Sequence, residues 1–448
     1  MSQLAPDKNF QPAQIGDDFI MRPGMREDID QLAEFNRRIH SFNPDPDVTI
    51  PAMTRDLLSG VLSTVQPEDF ILIIEPRTGR IASSMVMIPQ TWSYGGVPFN
   101  VGRPELVGTD PGFRGRGLIR EQFRRFHAIC KERDQLVQAI TGIPFFYRQF
   151  GYELGLPCGG GRICFAPQQV PALKPGANSE FMIHPARIED LDWIQNCYQN
   201  GCSRYLVTCI RNSENWLYEL YKKSSANIHK VEINAITSFE GQPVGFFISP
   251  KVFGSVEEKI ATWFDLLPGY SWHAVTPAVL RRLWADGQVE ISKNGYTCTR
   301  IGLVLGIDHP AYKTEISKST KFLESEAWYV RVADVPEFLK RISSVLDTRL
   351  SVSPWSGFSG ELKISTYTAG LRLVFRNGLV DHVGSYQLIS WEDADVAFPN
   401  LCFNQLLFGF RSLEDLMYAY PDCWANPEKI GLVESLFPKM PSNLWGLA

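Results

Sequence analysis

Over its 448 residues the sequence contains no apolar run approaching the ~20 residues that cross a bilayer, so no membrane span is expected. It also lacks any C-x-x-C pair. Nine cysteines are dispersed, the closest couple is Cys197 and Cys202, and no histidine stands at ligand spacing from them. That argues against a zinc site, and no metal is expected. An odd, scattered set of this kind fits reduced, buried thiols in a cytoplasm. The opening residues, MSQLAPDKNF, have no apolar signal-peptide core, and residues 1–18 read as a flexible leader. Neither charge sign dominates: 44 Lys and Arg stand against 49 Asp and Glu, and a net charge of −5 argues against a nucleic-acid partner. What is present is ordinary for a globular protein, 44% hydrophobic and 21% charged, and the length suggests about three domains.

The most informative stretch is Glu105 to Arg120, ELVGTDPGFRGRGLIR. Glu105 to Thr109 reads as a strand, Asp110-Pro111-Gly112 breaks it, and Arg114-Gly115-Arg116-Gly117 makes a glycine-rich, doubly basic corner. Leu118, Ile119, Phe123, Phe126 and Cys130 then fall near helical spacing. A strand that turns through glycines into a helix N-terminus presents unpaired backbone N–H groups and the positive end of the helix dipole. With two arginines added, it suits a phosphorylated ligand such as a pyrophosphate. A Walker A loop would need Gly-Lys-Ser/Thr at the helix start, and a Rossmann fingerprint a third glycine where Arg120 stands. Neither is met.

A second stretch, Leu136 to Tyr152, gives a strand over 137–140 and then Phe146-Tyr147-Arg148-Gln149-Phe150-Gly151-Tyr152. The corner resembles the Arg/Gln-x-x-Gly-x-Gly/Ala signature of the GNAT acetyltransferase superfamily, with Arg114 first, Gly117 as first glycine, and Ile119 departing from the final Gly/Ala. The second stretch resembles the F-Y-x-x-x-G-[FY] pattern that closes that fold. The resemblance implies acetyl-CoA as co-substrate, held by Val107, Gly108 and Thr109 along the strand and by Arg114, Gly115, Arg116, Gly117, Leu118, Ile119 and Arg120 at the corner. It also implies that Tyr147 is the acid beside the departing thiolate.

Past a Gly- and Pro-rich boundary at 158–175, something repeats: FIMRPGMREDIDQL at 19–32 returns as FMIHPARIEDLDWI at 181–194. The second copy has no Arg-Gly-x-Gly where the corner should follow; it reads Pro268-Gly269-Tyr270-Ser271-Trp272-His273. Leu305 to Tyr312 faintly echoes Thr141 to Tyr147. From Ala327 onward, a Val-Arg-Val-x-Asp start and Leu406-Leu407-Phe408-Gly409 resemble the sterol-carrier-protein-like domain of Eis-type (enhanced intracellular survival) acetyltransferases. The expected fold is α+β: a GNAT domain at 19–165, a degenerate GNAT-like domain at 166–325, and a sterol-carrier-protein-like domain at 326–448.

The implied function is transfer of an acetyl group to a primary amine on a cationic small molecule or a lysine side chain. In Eis-type enzymes the base is the C-terminal carboxylate, here that of Ala448; Glu105 on the cofactor strand is the alternative. The resemblance further implies a homo-oligomer, often a hexamer in that family. His40, His127 and His184 read as structural. A different class also fits the sequence, an inactive acyl-CoA- or lipid-binding carrier or scaffold. The intact corner and Tyr147 favour the enzyme.

Overall fold

The computed structural model describes residues 10–41, 47–165, 168, 170–173, 179–251, 257–293, 295–314, 321–390, 393–399 and 401–445. The first unit is built from β1 (Ala13–Ile15), β2 (Phe19–Pro23), α1 (Ile29–His40), α2 (Thr49–Ser59), β3 (Phe70–Glu75), β4 (Arg80–Tyr94), β5 (Val97–Thr109), α3 (Leu118–Glu132), β6 (Val137–Ile140) and β7 (Glu153–Cys158). The uninterrupted apolar run of β3 follows from a sheet covered on both faces. Ile71 and Ile73 enter the core beneath α3, while Phe70, Leu72 and Ile74 enter the core beneath α1 and α2. β4 and β5 form a long hairpin through Gly95 and Gly96, both at positive φ (54° and 92°).

Three features of the sheet differ from the sequence reading. Residues 13–15 of the expected leader pair with β2, and Phe10 is buried under Arg125, whose guanidinium carbon lies 4.6 Å from the ring centroid. The strand Glu326–Val332, expected to open the last domain, instead lies between β6 and β7, antiparallel to both. The strand Gly161–Phe165, inside the expected bounds of the first domain, pairs with Arg300–Leu303 and Lys321–Leu323 of the second. For the last two, which sheet receives the strand depends on pairings over a hundred residues away, which local strand propensity does not carry.

The repeated segment folds the same way twice. Each copy is a strand, a turn of 3-10 helix and a helix, Phe181–Pro185, Ile188–Asp190 and Leu191–Cys202 in the second. In each, an aspartate accepts the backbone N–H three residues before it: Met25 to Asp28 at 2.8 Å and Arg187 to Asp190 at 2.9 Å. Four antiparallel strands then recur in the same order, Phe181–Pro185, Val231–Ser238, Pro243–Pro250 and Trp263–Leu266, matching β2 to β5. The last segment carries a five-stranded sheet in which Gly360–Ser365 is central. Val335, Phe338, Leu339, Ile342 and Leu346 fall at the spacing of one helix face, but the segment forms two helices, Val335–Arg341 and Ser343–Ser351, meeting at the buried Ile342. One large apolar cluster joins this segment to the β4–β5 hairpin, with Phe338 edge-on to both Tyr94 and Phe99.

Candidate active site

The site begins where two parallel strands part. β5 and β6 are paired only at Val101–Val137 and Gly102–Gln138. Beyond that β6 turns its other edge to Glu326–Val332, while β5 runs on to Thr109. The parting leaves a wedge whose β5 side is irregular. Between the pairs Ser84–Gly108 and Val86–Glu105, Met85 alone faces both Leu106 and Val107, and Leu106 adopts φ 50°. Such a bulge leaves one residue out of the ladder and turns backbone polar groups away from it. A leucine in the left-handed region is strained, and strain of this kind concentrates at functional sites.

At the open end of the wedge the chain forms the expected corner. Asp110 to Phe113 make a tight turn in which the Asp110 carboxylate accepts the Gly112 N–H at 3.0 Å. Gly115 and Gly117 both sit at φ 76°, and a Cβ on either would meet nothing within 4 Å, so their backbones border open space. Gly117 is the N-cap of α3. Arg114, Arg116 and Arg120 are all exposed; the nearest carboxylate to Arg116 is Asp18 at 3.7 Å. By contrast Arg38 and Arg80 each reach Asp110 at 3.2 Å. Burial alone would raise the Asp110 carboxyl, but the Gly112 N–H and these two arginines hold it below the usual range. Asp110 is therefore an anion that fixes the turn, leaving the corner itself positive.

Not every residue expected to hold the cofactor faces open space. A Cβ on Gly108 would lie 2.5 Å from the Ile39 side chain, so glycine there lets α1 approach β5. Leu118 is buried in the α3 core and Ile119 packs against it, so only their backbones are free to serve a ligand. A buried polar set that the sequence reading missed ties α3 to the bulged strand. Ser83 Oγ lies 2.6 Å from Gln122 Oε1 and 2.9 Å from the Gly108 carbonyl, and Gln122 Nε2 donates to the Ile71 carbonyl at 2.7 Å. The signal available was a glutamine on the apolar face of α3.

Tyr147 lies in a 3-10 turn, Phe146–Phe150, just past β6. The turn starts at Phe145, a second non-glycine residue at positive φ (68°), whose N–H donates to the Tyr329 hydroxyl at 2.6 Å. The Tyr147 ring is 4% exposed and packs against Phe123, Phe146 and Tyr329. Its hydroxyl makes no hydrogen bond to any described residue. A Cβ placed on Gly142 would lie 3.5 Å from it, which puts the hydroxyl beside the end of β6, on the wedge. Burial raises its pKa above that of an ordinary phenol, and the Glu105 carboxylate and Tyr329 push it further the same way. The group therefore stays protonated through the physiological pH range. It is a poorer acid than a free phenol, and it is a donor that gives up its proton only against a developing negative charge.

Glu105 is paired with the fully buried Arg103 at 3.1 Å, and its side chain is 22% exposed. Burial raises its carboxyl above the ordinary value, against the opposing pull of Arg103 and the Leu106 N–H. Ala448 lies outside the described residues. The chain before it is docked: Met440 N–H donates to the Gly409 carbonyl at 3.0 Å, Leu206 N–H to Pro441 at 2.8 Å, and Asn443 N–H to Val207 at 3.1 Å. Trp445 closes an aromatic cage with Tyr198, Trp216 and Trp263 under Arg211. The docking is thus on the second unit. Its strand Val207–Cys209 pairs in turn with Trp92–Tyr94 of β4. No group of three or more His, Cys, Asp or Glu suited to a metal occurs among the described residues, and no described helix is long and apolar enough to cross a membrane.

Comparison with known proteins places these features. No curated protein matches the chain. Solved structures do, over nearly its whole length. A probable N-acyltransferase of Enterococcus faecalis aligns with TM-score 0.67 at 12% identity, covering 96% of this chain and 99% of that one. A GCN5-related N-acetyltransferase from Anabaena variabilis aligns with TM-score 0.62 at 15% identity, covering 95% and 98%. Eis1 from Mycobacterium abscessus aligns with TM-score 0.62 at 13% identity, covering 96% and 99%. At such identities the likeness is one of fold. Residues 21–155 match the family described as an acetyltransferase (GNAT) domain, which contains the wedge, the corner and Tyr147, and by that domain the chain is an acyltransferase.

Proposed function

We propose that the protein transfers an acetyl group from acetyl-CoA to a primary amine, on a cationic small molecule or a lysine side chain, by direct attack of the amine on the thioester. One juxtaposition carries the reading: a positive two-glycine corner at the mouth of a strand wedge, with, beside the same wedge, a buried phenol that has no partner among the described residues. Backbone N–H groups of the corner and Arg114, Arg116 and Arg120 suit a pyrophosphate. The bulged strand at Leu106 and Val107 suits a pantetheine arm and a polarised carbonyl. Tyr147 donates to the thiolate as the carbon–sulfur bond breaks, and a carboxylate takes the proton of the attacking amine. That base is the Ala448 carboxylate or Glu105.

The remaining parts of the reading rest on architecture. The repeated strand order and the twin capped turns support a tandem pair of GNAT-like units, the second without a corner. The last segment is taken as sterol-carrier-protein-like. A soluble homo-oligomer in the cytoplasm, as a hexamer, completes the proposal. Titration calorimetry with acetyl-CoA should give one site per chain, and a screen of primary amines should release thiol. Two equivalent sites would refute the assignment of the second unit. Tight acetyl-CoA binding with no thiol release from any amine would favour the carrier reading instead.

A further inference from the structure

Arginine is almost never fully buried, because taking its charge out of water is expensive. Arg103 is 0% exposed, and it stands on β5 just past the last pair with β6, Gly102–Gln138. In the hairpin ladder Arg103 lies opposite Ile88 and Glu105 opposite Val86. Directly opposed residues share a face of a sheet. Ile88 and Val86 belong to the core beneath α1 and α2, so both charged side chains leave the sheet on that face. Tyr147 belongs to the core beneath α3, on the other face. The candidate acid and Glu105 thus border the wedge from its two sides, close enough for the Glu105 charge to act on the phenol.

The pair is one-sided. The cation is sealed, while the Glu105 side chain keeps 22% of its surface open. Arg103 Nη2 donates to Glu105 Oε2 at 3.1 Å. The N–H of Leu106, the left-handed residue of the bulge, donates to Glu105 Oε1 at 3.3 Å. Each carboxylate oxygen is held by one donor, and each can accept another. The guanidinium also packs on the Trp328 ring, 4.8 Å from its centroid, and so reaches from β5 to the strand inserted between β6 and β7. Cys158, Cys209 and His229 lie within its field. Burial raises both thiols to about 11 and lowers the imidazole to about 3, so all three are uncharged at neutral pH and none of them offsets the cation.

Stability does not account for this arrangement. A buried ion pair gains little over apolar side chains of the same volume, because the desolvation of both charges offsets their attraction. What the pair supplies is a fixed negative charge at the wedge. Burial pushes the Glu105 carboxyl up, and the adjoining guanidinium opposes that rise. A carboxylate takes the proton of an attacking amine only while it is ionised. We propose that Arg103 is a positioning residue for the transfer: a sealed cation that keeps Glu105 charged and turned into the wedge. The proposal rests on the reading of Glu105 as the base.

The test uses the full-length protein. Carbon-13 NMR of labelled glutamate carboxyls follows Glu105, identified as the signal lost in Glu105→Gln. Rate–pH profiles are recorded with acetyl-CoA and the most reactive amine of the screen above; the amine is the same throughout, so differences between variants report on the enzyme. In the parent protein Glu105 should be ionised at neutral pH, and its midpoint should mark the acid limb of the profile. Arg103→Met removes the charge and keeps most of the packing. Midpoint and limb should then both move up by about 1–3 pH units, with turnover recovered at higher pH. Arg103→Lys restores the charge and should bring both back towards the parent values. A Glu105 that is protonated at neutral pH in the parent overturns the proposal, and that measurement requires no Arg103 variant to fold. An inactive Glu105→Gln together with an unmoved midpoint in Arg103→Met overturns the proposal alone and leaves Arg103 a structural residue. A Glu105→Gln protein with full turnover overturns the base assignment, and the proposal with it.

Discussion

Replacing Tyr147 by phenylalanine separates a catalytic hydroxyl from a structural one by the sign of two effects. The ring is 4% exposed and fixed among Phe123, Phe146 and Tyr329, and phenylalanine keeps those contacts. The hydroxyl has no partner among the described residues, so its removal breaks no hydrogen bond and lifts a desolvation cost of about 1–3 kcal/mol. Unfolding free energy should therefore stay constant or rise by about 1 kcal/mol. Turnover should fall about 10²–10⁴-fold with the loss of the proton donor, roughly 3–5.5 kcal/mol of barrier. Acetyl-CoA affinity should hardly change. The second unit supplies the control. Tyr312 sits in the matching 3-10 turn, but its hydroxyl donates to the Leu303 carbonyl at 3.0 Å and accepts the Leu305 N–H at 2.9 Å. Tyr312→Phe should cost about 1–3 kcal/mol of stability and leave turnover alone. Denaturant unfolding and a thiol-release assay on both variants decide the matter. If Tyr147→Phe is destabilised while its turnover stays within threefold of the parent, the hydroxyl is structural and the proposed acid is wrong.

Further outcomes follow from the same geometry. Gly117→Glu puts a carboxylate into the open space at the corner and should abolish acetyl-CoA binding in calorimetry. Gly117→Ala, strained at φ 76°, should weaken it without abolishing it. A few residues added after Ala448 should cut turnover as deeply as Tyr147→Phe if the terminal carboxylate is the base. If the extended protein keeps full turnover and Glu105→Gln does not, Glu105 is the base. In that case the acid limb of the rate profile should lie above the ordinary carboxylate value, because burial raises Glu105. Burial also lowers His127, His229 and His309, each to about 3. Above pH ~6.5 these rings are neutral in both folded and unfolded chains. Below it the unfolded chain gains protons that the fold refuses, so stability should fall progressively from about pH 6.5 towards 3. A melting temperature that is flat over that range would show that the three rings are more open to water than the fold implies.

The sequence made the local elements legible and left their assembly hidden. The helix over Leu118–Glu132 follows from spacing, because Leu118, Phe123, Phe126 and Cys130 face one core. The corner was legible because glycine at positive φ followed by a helix start is encoded by neighbours in the chain. The bulge at Leu106 was not. Nothing in Glu105-Leu106-Val107 marks a left-handed leucine, and the irregularity exists only against Met85 on the partner strand. The same holds for Tyr329, which fixes the turn before Tyr147 from a strand 184 residues further along the chain. No local pattern links the two.

The exchange of strands bears on why the first unit alone would be a poor catalyst. Without Glu326–Val332, β6 would keep only the two paired residues it shares with β5 and would present a bare edge beside the wedge. Tyr329 belongs to that strand, so the 3-10 turn carrying Tyr147 is held by a residue from outside the matched domain. Truncation before residue 326 should therefore do more than remove a distant domain: it should free both the turn and the sheet edge. A fragment of residues 10–165 should be aggregation-prone, and any soluble part of it should lose turnover as deeply as Tyr147→Phe while the corner keeps its affinity for acetyl-CoA. Calorimetry and thiol release on that fragment check the two halves separately. A soluble fragment with full turnover would show that the inserted strand is dispensable for the chemistry, and that Tyr329 does not position Tyr147.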